Sequence, residues 1–230
     1  MNKYIKISGV ILFFVLISFL LTSKKDITIL SNDKLEPVYS AGIVNHHLLA
    51  KDIVDNFFKE LAKFKYDNIV ILSPDHFNNC SIYGKGFIFQ EDSQSAINQD
   101  HGIANLLPII KTTWPEAKLI PVLVCNKEEE FPDNILQEKN TLVIASVDFS
   151  HYLPEDLMNL HDSKSINNIS NFEEGINIDV DCPKCIQIVK EFAIRKRATN
   201  ILEIGKSDSF KYMKSDNPKD GTSYYSAIFS

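Results

Sequence analysis

The sequence predicts an α/β fold: a single three-layer domain with a mostly parallel central sheet. Two observations carry this. Continuous apolar runs rich in Ile, Val and Leu recur at Asn68 to Leu72, Lys118 to Val124 and Thr141 to Ser146, the pattern of strands buried on both faces. Segments with helical apolar spacing separate them, which suits helices laid on either side of the sheet. The elements follow in order. Tyr39 to Val44 reads as a short strand. Leu49, Ile53, Val54, Phe57, Phe58, Leu61 and Phe64 fall on one face of a helix. Ile82 to Phe89 reads as a hairpin around Gly84 and Gly86, and residues 101–112 as a helix. Further helices are expected near 154–169 and at Cys185 to Arg195, with extended chain at Asn200 to Ile204 and a last strand at Ser223 to Phe229.

Length and charge narrow the field. The chain has 230 residues, 44% hydrophobic and 23% charged, ordinary globular values that exclude a disordered or polytopic membrane protein. A net charge of -6 disfavours nucleic-acid binding, which relies on Lys and Arg to neutralise phosphates. Four cysteines are too few for a disulfide scaffold at this length. Ile7 to Ser23 carries no charge and lies between Lys6 and Lys24, just long enough to cross a bilayer. With no small-residue cleavage pattern after it, an uncleaved signal anchor is favoured over a removed signal peptide. The expected organisation is thus a transmembrane anchor at 1–23, a tether at 24–36 and one domain at 37–230. The domain is expected to be membrane-anchored and extracytoplasmic, with the membrane as its partner and no nucleic acid.

The chemistry gathers at strand ends. His46 and His47 follow the first strand, His76 follows the second within Ser73-Pro74-Asp75-His76, and Asp148 and His151 follow the strand ending at Ser146. Ligands of open α/β sheets bind outside the carboxyl ends of the strands. One histidine after a strand is commonly a loop or capping residue; three at one edge point to metal binding or acid–base work. Imidazole and carboxylate suit iron, zinc or copper, and a thiolate adds softness. Asp100-His101 reads equally as a helix N-cap and as an acid–base group above the site. His161 reads as part of a solvated helix face. Cys182-Pro183-Lys184-Cys185 allows a redox dithiol, half of a zinc site, or a disulfide in an oxidising compartment. No serine-esterase elbow, phosphate loop or dinucleotide motif is present.

Several ordered blocks carry a resemblance: Gly42-Ile43-Val44-Asn45-His46, Leu72-Ser73-Pro74-Asp75-His76, Asp100-His101-Gly102-Ile103, Ala145-Ser146-Val147-Asp148-Phe149-Ser150-His151-Tyr152, Cys182, and Thr222-Ser223-Tyr224-Tyr225-Ser226-Ala227. Together they resemble the Memo-like family, which includes the AmmeMemoRadiSam system protein B. The resemblance implies a fold similar to class III extradiol dioxygenases. It also implies iron or copper held by His46, His76 and Cys182, with His101, Asp148 and His151 lining the pocket as candidate catalytic residues. Redox chemistry on a small molecule is the first expectation. A non-catalytic module binding a peptide, partner or metal is the second, and a zinc-dependent hydrolase the third. Two departures stand out: Gly102-Ile103-Ala104 replaces the family's Ser-Ile-Glu, and Pro183 replaces the glycine that usually follows the cysteine. The first favours the binding module, since it removes a pocket carboxylate.

Overall fold

Wherever the apolar run is continuous, a strand forms. Asn68–Pro74 (β2), Lys118–Val124 (β4) and Thr141–Ser146 (β5) lie parallel to one another, and Ala41–Val44 (β1) adds beside β5 in the same direction, with Gly42 opposite Ile144. The computed structural model describes residues 38–125, 127–173, 178–213 and 221–230, all in one compact unit. Within them the sheet order is β3-β4-β2-β5-β1-β8-β6. The outer strands Phe87–Phe89 (β3), His151–Leu153 (β6) and Gly221–Phe229 (β8) run antiparallel to their neighbours, and Ile201–Asp208 (β7) also pairs antiparallel with β8. The centre is parallel, as expected, and antiparallel strands close both edges.

Alternation along the strands explains the three layers. Ile69, Ile71, Leu142 and Ile144 pack on one face against Phe57, Phe58 and Leu61 of the helix Lys51–Leu61 (α1), and against Leu106, Ile110 and Trp114. Val70, Leu72, Val143 and Ala145 face the other way, onto Ile186, Val189 and Phe192 of the later helix Pro183–Arg195. Each fully buried Leu, Ile or Phe contributes about 1.5–3 kcal/mol, so neither face tolerates a polar replacement.

Between these elements the chain departs from expectation in places. The hairpin at Ile82 to Phe89 is absent. Asn79–Tyr83 is a short helix (α2), closed by Gly84 at φ 67°, and only Phe87–Phe89 is extended. Gly84 ends a helix there, a left-handed position that glycine fills without steric cost. The expected helix at 101–112 divides into His101–Ala104 (α4) and Leu107–Thr113 (α5), and Gln94–Gln99 (α3) precedes them. Asp133–Leu136 (α6), Glu155–Ser170 (α7), Pro183–Arg195 (α8) and Ser209–Tyr212 (α9) complete the set. The expected anchor at 1–23 and tether at 24–36 lie outside the described residues. Among those described, no helix is long and apolar enough to cross a membrane.

Candidate metal centre

Because β2, β5 and β1 are adjacent in the sheet, their carboxyl ends deliver His76, Asp148 and His46 side by side. His101 joins them from the first turn of α4. The imidazoles of His46 and His76 have ring centroids 4.9 Å apart, those of His46 and His101 5.2 Å, and those of His76 and His101 3.8 Å. Donor atoms of all three lie within 4.8 Å of one another, and so do those of His46, Asp148 and Asp181. His46 is common to both sets.

Asp100 fixes how His76 is presented. Its Oδ1 accepts from His76 Nδ1 at 2.8 Å and from the Gly102 backbone N–H at 3.0 Å, while Oδ2 accepts from the His76 backbone N–H at 2.9 Å. Asp100 thus caps α4, as one reading of the sequence expects, and it also orients the imidazole of His76, which the sequence reading did not include. With Nδ1–H committed to a carboxylate, Nε2 keeps its lone pair toward the cluster, the arrangement usual for metal-bound histidines. Nε2 lies 4.0 Å from Asp181 Oδ2.

A second network positions the carboxylates. The His46 backbone N–H donates to Asp148 Oδ1 at 3.2 Å, and the Asp148 backbone N–H donates to Asp181 Oδ2 at 3.1 Å. His46 Nε2 sits 3.6 Å from both carboxylates. Asn105 Nδ2 donates to the His46 carbonyl at 3.0 Å, tying α4 to the end of β1. A bridge between Phe149 and Val180 lays residues 178–182 beside the loop after β5, which is how Asp181 reaches the cluster.

Electrostatics follow from burial. Desolvation, with His76 and His101 close by, lowers the His46 pKa to about 3, so its imidazole is neutral in ordinary buffers. His101 is lowered by burial and by His76. His151 is lowered by burial, partly offset by Asp148. Asp148 is raised by burial, and Asp181 well above the carboxylate range by burial and by Asp148. His46 Nδ1 and Asp181 Oδ1 are buried with no hydrogen-bond partner among the described residues, and such groups cost about 1–3 kcal/mol each. Neutral imidazoles, paired carboxylates and orphaned buried atoms are what a cation-binding site requires.

The expected thiolate is the departure. Cys182 is disulfide-bonded to Cys185, and its Sγ accepts from the Cys185 backbone N–H at the start of α8. A disulfide sulfur is not the thiolate that binds metals, so His101 and the neighbouring Asp181 stand where Cys182 was expected. Cys80 and Cys125 form a second disulfide, a pairing across 45 residues that spacing alone does not reveal. His101 and Asp148, expected as pocket residues, fall within the donor sets themselves. His151 stays at the rim, within the field of Asp148 and His76. His47 is turned outward and stacks on Tyr224 at 5.7 Å. His161 pairs with Asp179 at 2.6 Å and belongs to neither donor set.

Against known families, the model of the Memo-like protein family matches residues 81–180. Over that stretch the chain is similar to the Memo-like family. The match contains Asp100, His101, Asp148 and His151, whereas His46, His76 and Asp181 fall outside it and join the Memo-like segment through the sheet. No curated protein matches the chain.

Proposed function

We propose that this Memo-like chain is a membrane-anchored metalloprotein whose ion, iron or copper, is held by His46, His76 and His101 with Asp148 and Asp181 alongside. The supporting observation is the convergence of three imidazoles and two carboxylates from separate loops around buried polar atoms that lack partners. Iron or copper bound there would supply redox chemistry to a small molecule; zinc would instead supply a Lewis acid. The protein's own residues have separable tasks. Asp100 holds the tautomer of His76, and the carboxylates balance the charge of a cation. His151, neutral at physiological pH and set at the rim, accepts or returns a proton at its imidazole. An extracytoplasmic placement is supported by the pairing of all four cysteines.

A non-catalytic binding module is the second reading, favoured by Ala104 where the family carries a carboxylate. Asp148 and Asp181 weigh against it, because they bring two carboxylates to the cluster from other loops. The deciding measurement is metal content by mass spectrometry on the untagged full-length chain, purified anaerobically. Near-stoichiometric iron or copper is expected, lost in His46→Ala, His76→Ala and His101→Ala but kept in Cys182→Ser, with folding followed by circular dichroism. A folded protein that takes up no metal on reconstitution would overturn the proposal.

A further inference from the structure

The two disulfides differ in access. Cys182 and Cys185 are 4% and 0% exposed, so their bond is sealed inside the protein. Cys125 is buried as well, but its partner Cys80 is only half-buried. Both Cys80 and Cys125 line a cavity of about 350 Å³, at the lower end of the range for small-molecule sites. Neither Cys182 nor Cys185 lines it. One disulfide is thus open to a small reagent in the folded protein and the other is not.

Access governs disulfide chemistry, because exchange begins with a thiolate attacking one of the two sulfurs. Cys80 is held at the cavity wall by the start of α2. Its backbone N–H donates to Asp75 Oδ2 at 2.6 Å, and Asn79 Nδ2 donates to Asp75 Oδ1 at 3.0 Å. The charges around the cavity narrow the reagent. Asp75, Asp181 and Lys127 line it, and the exposed run Glu128-Glu129-Glu130 follows Lys127. Burial favours the protonated form of Asp181. Even so, Asp75 and the three glutamates outweigh a single ammonium. A reagent carrying a carboxylate of its own is repelled, and one that is neutral or cationic is not.

We propose that Cys80–Cys125 is a thiol–disulfide exchange site for a small thiol, bearing a neutral or cationic group, that enters this cavity. The thiol gives its proton to solvent and attacks Cys80 Sγ, the more exposed sulfur. A bond forms between the incoming sulfur and Cys80, and the Cys80–Cys125 bond breaks. The electron pair leaves on Cys125, which takes a proton from solvent. A second thiol attacks the incoming sulfur of the mixed disulfide, releases the small-molecule disulfide and leaves Cys80 as a thiol. Two small thiols are thereby oxidised to one disulfide, and the protein disulfide is reduced to two thiols. No metal takes part, so the exchange stands apart from the metalloprotein reading.

The test treats the metal-free full-length chain with cysteamine, 2-mercaptoethanol or 3-mercaptopropionate. Alkylation and peptide mass spectrometry then follow each cysteine, with circular dichroism to confirm that the chain stays folded. Each rate is divided by that thiol's rate on hydroxyethyl disulfide, which removes differences in intrinsic nucleophilicity. Cys80–Cys125 is expected to open about tenfold or more faster than Cys182–Cys185, with the first adduct on Cys80. After normalisation, 3-mercaptopropionate is expected to lag cysteamine by about threefold or more. Ser81→Trp adds bulk at an exposed position of the cavity wall and is expected to slow the opening of Cys80–Cys125 alone. Equal rates at the two disulfides, opening only on unfolding, or a first adduct on Cys125 would overturn the exchange site. Equal normalised rates for the three thiols would overturn its charge selection, and an unaffected Ser81→Trp would overturn entry through the cavity.

Discussion

Asp181 carries an electrostatic load in the centre: it is half-buried, has one buried oxygen unpartnered, and faces the Asp148 carboxylate. Its folded pKa is raised above the unfolded value of 3.8. The protonated carboxyl therefore favours folding below that value, and the contribution is lost as pH rises through the folded pKa. Asp181→Asn keeps an acceptor for the Asp148 N–H and removes the buried charge. Metal-free Asp181→Asn is expected to be more stable than wild type at pH 7 by about 1–3 kcal/mol, the gain vanishing toward pH 4. Its metal affinity should fall tenfold or more. Urea denaturation across pH and a metal titration check both; unchanged affinity would remove Asp181 from the site. Sequence reading stopped one residue away, at Cys182. Nothing local marks Asp181, because only the bridge between Phe149 and Val180 carries that segment to Asp148.

At the level of elements, the junction of β2 and α4 is packed without slack. A Cβ at Gly102 would lie 2.0 Å from Ser73 Oγ and 3.1 Å from His76 Cε1. Gly102 is thus the complement of Ser73, whose hydroxyl fills the space that a side chain there would take. Gly102→Ser is expected to cost about 1–3 kcal/mol by overpacking and to weaken metal binding by displacing His76. Adding Ser73→Gly should restore most of both, as measured by thermal denaturation and metal titration. A Gly102→Ser variant with wild-type affinity would refute the coupling. Element boundaries at β2, β4 and β5 were legible because buried parallel strands are apolar without interruption. The region 79–89 was not, since the same apolar residues and glycines serve a helix, its left-handed cap and a short strand.

Across the whole molecule, sheet topology does the assembling. His46, His76 and Asp148 are far apart in sequence, and their strands β1, β2 and β5 are neighbours. The strand-end histidines could be placed at one edge from sequence because all four central strands point the same way. Which imidazoles touch could not, since that depends on strand order. Nor could the cysteine pairing, which depends on the approach of α2 to the end of β4. β1 runs from the start of the described chain toward His46, so the cluster lies at the sheet edge opposite Val38.

The central claim is a metal held by imidazole and carboxylate, with Cys182 withheld in its disulfide. X-ray absorption at the metal edge of the zinc-loaded full-length chain tests it most directly. The structure predicts a shell of nitrogen and oxygen alone, at about 2.0–2.2 Å, with the multiple-scattering signature of imidazoles. A sulfur scatterer at about 2.3 Å, or a shell without imidazole, would contradict it.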